Sequence, residues 1–384
     1  MTTAQITDNP LVHELYELPG PVVTAYLNSP FAGPGVDDTD LRIRALLDDA
    51  RGFGAAPDAL TALGSVLGTV RPGAPPAAAF VGADGQVRMF SLPGAQVEDQ
   101  VHCAAVPHVL PLLAWRQRHP AYALVMLDRT GAELVVRPAG AGQPILATVD
   151  GPDDEIERNA PGGWSQPRYQ NRAEDSWQHN AGRAAEAVAD AVAASGAELL
   201  IVGGDVRAEQ YFLDKLPAGV RSGVAIKTIS GGRSPDGSEQ HREAVVEALV
   251  QEHVNDESRR FLERVQDRSG PGGLGVLGPA PTIHALARAQ VQVLLLAEPE
   301  QEPDTPQPEP TTAWFGPQPT DISEHRSGVL VPDGEPDHGP LREVLARSAV
   351  LTDADIRILP EGWVDGPARG VGALCRFTVA SASG

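Results

Sequence analysis

The stretch Glu198-Leu199-Leu200-Ile201-Val202-Gly203-Gly204-Asp205 constrains the fold more than any other part of the chain. Leu199 to Val202 are apolar without interruption and stop at a glycine turn. A run of this kind reads as a strand buried on both faces, inside a sheet that helices cover. Such helices are legible on either side of it. Upstream, Trp177, Ala181, Ala184, Val188, Ala191 and Val192 recur at the spacing of one buried helical face. Downstream, Ala244, Val245, Ala248, Leu249, Val254, Phe261, Leu262 and Val265 mark a long helix over 239–265. Two β-rich runs, 122–127 and 132–136, flank Asp128-Arg129-Thr130-Gly131 and predict a hairpin that opens this part of the chain. A hairpin followed by alternating helices and strands defines a mixed-sheet α/β domain over 121–271.

The flanking segments are α/β as well. In 1–120, a strand is expected at 21–27. A helix follows Asp37-Asp38-Thr39-Asp40, whose oxygens suit an N-cap and a first turn. A second helix falls at 57–67, a hairpin at 77–81 and 86–90 around Gly82-Ala83-Asp84-Gly85, and a closing helix at 109–118. In 272–384, the expected order is helix 279–290, strand 291–296, strand 328–331, helix 339–346, and strands 354–359 and 370–377. Between them, 298–312 alternates proline with acidic and amide residues and reads as a solvated insert. Three domains suit a chain of 384 residues.

The composition excludes several chemistries. A net charge of −21 rules out a generally basic surface, so contact with a nucleic acid must be local. Cys103 and Cys375 have no metal spacing and are expected as two buried, reduced thiols. The ten histidines form no H-x-x-x-H or H-E-x-x-H pair, and His102 and His108, on either side of Cys103, are expected as ordinary strand or loop residues. No metal or cofactor is expected. Gly273-Leu274-Gly275-Val276-Leu277-Gly278 matches G-x-G-x-x-G, but a long helix and Ser269-Gly270-Pro271 precede it where a dinucleotide site requires a strand. It is expected as a flexible interdomain linker. Asp128 and Asp205 end strands, as nuclease carboxylates do, yet no third or fourth acid completes a cluster, and a capping role is expected for both. Ser165 has no G-x-S-x-G elbow, and His179 is not arranged to serve it as a base. Without an apolar run of membrane-spanning length or a leader-like beginning, the chain is expected in the cytoplasm.

One stretch carries a function. Arg158-Asn159-Ala160-Pro161-Gly162-Gly163-Trp164-Ser165-Gln166-Pro167-Arg168-Tyr169-Gln170-Asn171-Arg172 is glycine-rich, aromatic and basic, and it runs into the helix read from Trp177. Rings in such a loop can stack on bases, and guanidiniums can bond phosphates. Gly162, Gly163, Trp164, Ser165, Gln166, Arg168, Tyr169 and Arg172 are the candidate RNA-binding residues. This run resembles the Gly-Gly-Gln loop of the archaeal and eukaryotic class-I peptide-release factors, followed as there by Arg-Tyr and a long helix. The chain resembles their bacterial branch, the actinobacterial Balon-like ribosome-hibernation factors, in domain order and in the ending Gly370-Val371-Gly372-Ala373-Leu374-Cys375-Arg376-Phe377.

The resemblance implies a three-domain architecture. The central domain would be ribonuclease-H-like, and the C-terminal α/β/α domain would resemble kink-turn-binding ribosomal proteins. It also implies a factor that occupies the vacant ribosomal A site under stress or dormancy. The loop would meet ribosomal RNA near the peptidyl-transferase centre, and EF-Tu would be a partner. Trp164 stands where that family has the glutamine that positions the hydrolytic water, so no peptide release is expected and no residue is assigned as catalytic. The alternative is a peptidyl-tRNA or aminoacyl-tRNA ester hydrolase of ribosome rescue, with Gln166, two places later, as a substitute.

Overall fold

The computed structural model describes residues 10–28, 38–128, 130–150, 166–230, 239–270, 272–298, 312–332, 334–360 and 370–377. The first part of the chain runs α1 (Pro10–Tyr16), β1 (Val22–Leu27), α2 (Thr39–Gly52), α3 (Pro57–Leu67), β2 (Ala77–Val81), β3 (Val87–Ser91), β4 (Gln100–Ala104) and α4 (Leu110–Arg118). The middle runs β5 (Tyr122–Leu127), β6 (Gly131–Arg137), β7 (Ile145–Asp150), α5 (Gln166–Ser195), β8 (Leu199–Gly204), α6 (Val206–Lys215), α7 (Ala218–Gly223), β9 (Ala225–Ile229) and α8 (Glu239–Asp267). The last part runs β10 (Gly275–Leu277), α9 (Pro279–Leu286), β11 (Val291–Ala297), β12 (Thr312–Phe315), β13 (Ile322–Ser323), β14 (Asp337–Pro340), α10 (Leu341–Leu351), β15 (Asp355–Leu359) and β16 (Val371–Cys375). The class is mixed α/β. Among the described residues, no helix is long and apolar enough to cross a membrane.

The chain divides into two compact units, one of residues 118–256 and one that joins 5–117 with 257–384. The expected segments 1–120 and 272–384 thus fall almost wholly in one unit, each with sheets of its own. One is an antiparallel sheet of order β3-β2-β1-β4. Another has the order β10-β16-β11-β15, in which only β11 and β15 are parallel, and a third has the order β13-β12-β14.

Two buried polar clasps tie the sequence-distant parts of this unit together. The Gln117 side-chain amide donates to the Ile358 carbonyl at 2.6 Å and accepts from the Ile358 N–H at 2.8 Å, so it extends the edge of β15 as a strand would. It also reaches the Ser258 hydroxyl at 3.4 Å. Glu343, in the first turn of α10, is 2% exposed and accepts from the N–H groups of Val109 and Leu110 at 3.1 and 3.3 Å. It therefore caps the start of α4, and its other contact is His108 Nδ1 at 2.5 Å.

The middle unit holds a five-stranded sheet of order β7-β6-β5-β8-β9. Its first three strands in sequence form an antiparallel meander, and β8 and β9 follow parallel to β5. Side-chain alternation splits β5 and β6 cleanly. Ala123, Val125, Leu127, Ala132, Leu134 and Val136 meet α5 and α6, while Met126 turns to the opposite face against α8. β8 is buried on both faces, as its apolar run requires.

Several expectations change. Residues 329–331 are not a strand: a short 3-10 turn, Arg326–Gly328, precedes them, Leu330 is 86% exposed, and Pro332 has no N–H to offer a ladder. Cys103 is half-buried rather than buried, while Cys375 is buried, and burial pushes both thiols up. The Gly273–Gly278 run, numbered 273–278, is not a flexible linker. A Cβ at Gly275 would lie 2.1 Å from the Val265 carbonyl oxygen, so this glycine lets β10 run against the end of α8. Sequence reasoning missed α1, β4, β7 and the sheet of β12, β13 and β14. The insert expected at 298–312 lies mostly outside the described residues.

Candidate nucleic-acid interface

The candidate residues lie in sequence between β7 and the first turns of α5 in the middle unit. β7 pairs with β6 from Gly131 opposite Asp150 to Val136 opposite Ile145, which anchors one end. The other end is anchored by α5, where Ala181, Ala184, Ala185, Val188 and Val192 are buried against β5 and β6. Alanine at three of these places brings the helix axis close to the sheet. Thirty residues make α5 about 45 Å long. Its first turns lie about 20 Å along the axis from Ala181, where the buried stripe begins.

Gly162, Gly163, Trp164 and Ser165 lie outside the described residues. Gln166, Arg168, Tyr169 and Arg172 belong to the first turns of α5, which begins at Gln166 and not near Trp177. The earlier start has a physical cause. Pro167 suits the first turn because its missing N–H is not needed there, and an already seated helix propagates at low cost. Positions 168 and 172 stand about one helical turn apart.

The end of β8 is built by close backbone approach. Gly204 has φ 138°, and a Cβ there would fall 1.9 Å from the Leu127 carbonyl oxygen. The Asp205 N–H instead donates to that oxygen at 3.0 Å. The Asp205 carboxylate accepts from the Arg207 N–H at 2.9 Å and caps α6. Asp128 accepts from the N–H and hydroxyl of Thr130 and from the Gly131 N–H at 2.7, 2.8 and 2.9 Å. Both acids therefore serve turns and caps. Among the described residues, no group of three or more His, Cys, Asp or Glu could hold a metal ion. His179 is exposed on α5. In the other unit, His102 and His108 face each other with ring centroids 4.2 Å apart. Burial and the neighbouring His108 lower the His102 pKa to about 4.

Residues 121–271 match the model of the bacterial archaeo-eukaryotic release factor family 2. Two proteins of Mycobacterium tuberculosis, Rv2629 of strain H37Rv and MT2704 of strain CDC 1551, are each 27% identical over 128 residues, 33% of this chain and 33% of theirs. The chain thus matches about a third of the length of these relatives. Among solved structures, Archaeoglobus fulgidus Pelota is 15% identical with a TM-score of 0.32, over 79% of each chain. S. cerevisiae Dom34 is 10% identical with a TM-score of 0.39, over 77% of this chain and 75% of that one.

Proposed function

We propose that the protein is a ribosome-binding factor that occupies the vacant A site of idle ribosomes and does not catalyse peptide release. One observation carries this reading: the segment that matches the release-factor family, 121–271, contains Gly162-Gly163 followed by Trp164 instead of glutamine. Trp164 and Tyr169 would stack on bases, and Arg168 and Arg172 would bond ribosomal RNA phosphates. A chain of net charge −21 would confine RNA contact to this stretch and turn its acidic bulk to solvent or protein. Segments 1–120, 121–271 and 272–384 would act as the three domains of a release factor, in the cytoplasm. The strand order β7-β6-β5-β8-β9 supports a ribonuclease-H-like layout for the middle one. EF-Tu would be the delivering or accompanying partner.

The test is co-sedimentation of the full chain with empty ribosomes, with and without a drug in the decoding site. The expected result is binding that the drug abolishes. The double variant Trp164→Ala, Arg168→Ala should bind at least tenfold more weakly at fixed salt. Unchanged binding would remove the stretch from the reading. A peptidyl-tRNA release assay is expected to show no turnover; turnover lost in Gln166→Ala would instead establish the hydrolase.

A further inference from the structure

The two edges of the middle sheet are treated differently. β9, at one edge, carries Lys227 in its centre, paired with Glu252 at 3.2 Å. A charged side chain in the middle of an edge strand is a common way to prevent another strand from adding to it. The chain has only two lysines, Lys215 and Lys227, and one of them stands here. β7, at the other edge, reads Ile145-Leu146-Ala147-Thr148-Val149-Asp150, with no charge before its last residue and no proline or glycine inside it. Ile145 is 59% exposed and Leu146 is 73% exposed. Among the described residues, β7 pairs only with β6, so every second backbone N–H and C=O points outward along an edge about 20 Å long.

A groove lies directly beside this edge. α8 covers Met126, Leu199, Ile201 and Ile229 with Val246 and Val250, and among the described residues leaves the β6–β7 half of the same face open. The opening is a cavity of about 560 Å³ with Tyr122, Leu124, Val135 and Leu146 on its sheet side. Its charged lining is Arg118, Arg137 and Arg242 against Glu243 and Glu247, with His119 beside them. The guanidiniums outnumber the carboxylates here, in a chain whose acids exceed its bases by 21. Arg137 hydrogen-bonds Tyr122 at the groove floor.

We infer that β7 and this groove form a docking surface for an extended peptide of a partner protein, in which apolar and acidic residues alternate. The peptide adds a sixth strand to the sheet through backbone hydrogen bonds on β7, as in other edge-strand recognition. Its apolar side chains cover Ile145 on one face of the sheet, and on the other its carboxylates meet the arginines of the groove beside Leu146. The unguarded edge supplies the affinity and the charged groove supplies the selection.

The test uses the full chain and two labelled octapeptides, Asp-Val-Glu-Ile-Asp-Val-Glu-Ile and its counterpart with lysine at each acidic place. Fluorescence polarisation should show the acidic peptide binding at least tenfold more tightly than the lysine peptide. Amide exchange over residues 145–150 should slow at least tenfold when it binds. Leu146→Glu puts a carboxylate on an exposed position without disturbing the core, and should weaken binding at least tenfold. Ala147→Pro, checked for native circular dichroism, should do the same by removing backbone pairing while leaving the groove charges in place. No binding, equal binding of both peptides, or binding indifferent to both variants overturns the proposal. So does self-association of the peptide-free protein that Leu146→Glu abolishes, since the edge would then belong to a second copy.

Discussion

Glu343→Ala is expected to be the most damaging single truncation outside the apolar cores. The carboxylate is 2% exposed and takes the N–H groups of Val109 on Oε2 and Leu110 on Oε1, while His108 Nδ1 sits 2.5 Å from Oε1. Truncation leaves two buried donors and an imidazole without their acceptor. Each orphaned donor costs about 1–3 kcal/mol, and some of that is recovered by relaxation and by water. The expected loss is therefore about 3–5 kcal/mol, the usual range for breaking a buried polar pair from one side. Glu343→Gln keeps one acceptor oxygen and should cost about 1–2 kcal/mol. Burial pushes the Tyr16 and Tyr26 hydroxyls well above their usual range, and the Glu343 carboxylate adds to the shift, so neither tyrosine offers a charge to replace it. The assay is urea unfolding followed by hydrogen exchange resolved by segment. With an ordinary denaturant slope, the midpoint of the unit containing α4 and α10 should fall by about 1–2 M. Exchange should quicken in 10–117 and 257–377 and stay unchanged in the β5–β8 core. A loss below about 1 kcal/mol, or equal destabilisation of both units, would refute the view that this carboxylate joins the two sequence-distant halves.

Gly204→Ala should cost about 3 kcal/mol or more and lower the melting temperature of the middle unit, because both φ and the Leu127 carbonyl forbid a side chain. A melting curve that does not move would contradict that geometry. Asp205→Ala should cost about 1 kcal/mol through loss of the α6 cap, and calorimetry with added Mg²⁺ or Mn²⁺ should show no site for it to disrupt. His102 makes stability fall with acid: its folded pKa of about 4 lies below the ordinary 6.5, so between these values the unfolded chain takes the proton first. The ring keeps an exposed edge, which limits the loss to about 1 kcal/mol, and His102→Asn should flatten the stability–pH curve by that amount between pH 7 and 4.

What the sequence made legible follows burial. α3 was expected at 57–67 and is found there, because Ala59, Leu63 and Leu67 repeat on one face and Pro57 opens it. β8 and the β5–β6 hairpin were legible for similar reasons. β7 was not: its residues are mostly exposed, so no alternation between core and solvent marks it, and the Gly- and Pro-bearing turn before it reads as coil. Nor could periodicity reveal that Glu343 caps a helix that starts 233 residues earlier, since such pairings leave no local pattern. The Gly-Gly-Trp run was legible as a motif. The structure corrects its extent by assigning the residues from Gln166 onward to a helix.

Gln117 and Ser258 lie on either side of the middle unit in sequence, and within hydrogen-bonding distance of each other in space. The polypeptide thus leaves one folded body and comes back to it almost at its point of departure. During synthesis, residues 5–117 emerge first, yet their buried partners at Ser258, Glu343 and Ile358 do not exist until the intervening unit has been made. At roughly 5–20 residues per second, the wait to reach Ile358 is on the order of 10–50 s. The middle unit can complete its own sheet within that interval. Birth order and assembly order then differ: what is translated second can be finished first, and the opening segment gains its buried partners only when the chain is nearly complete.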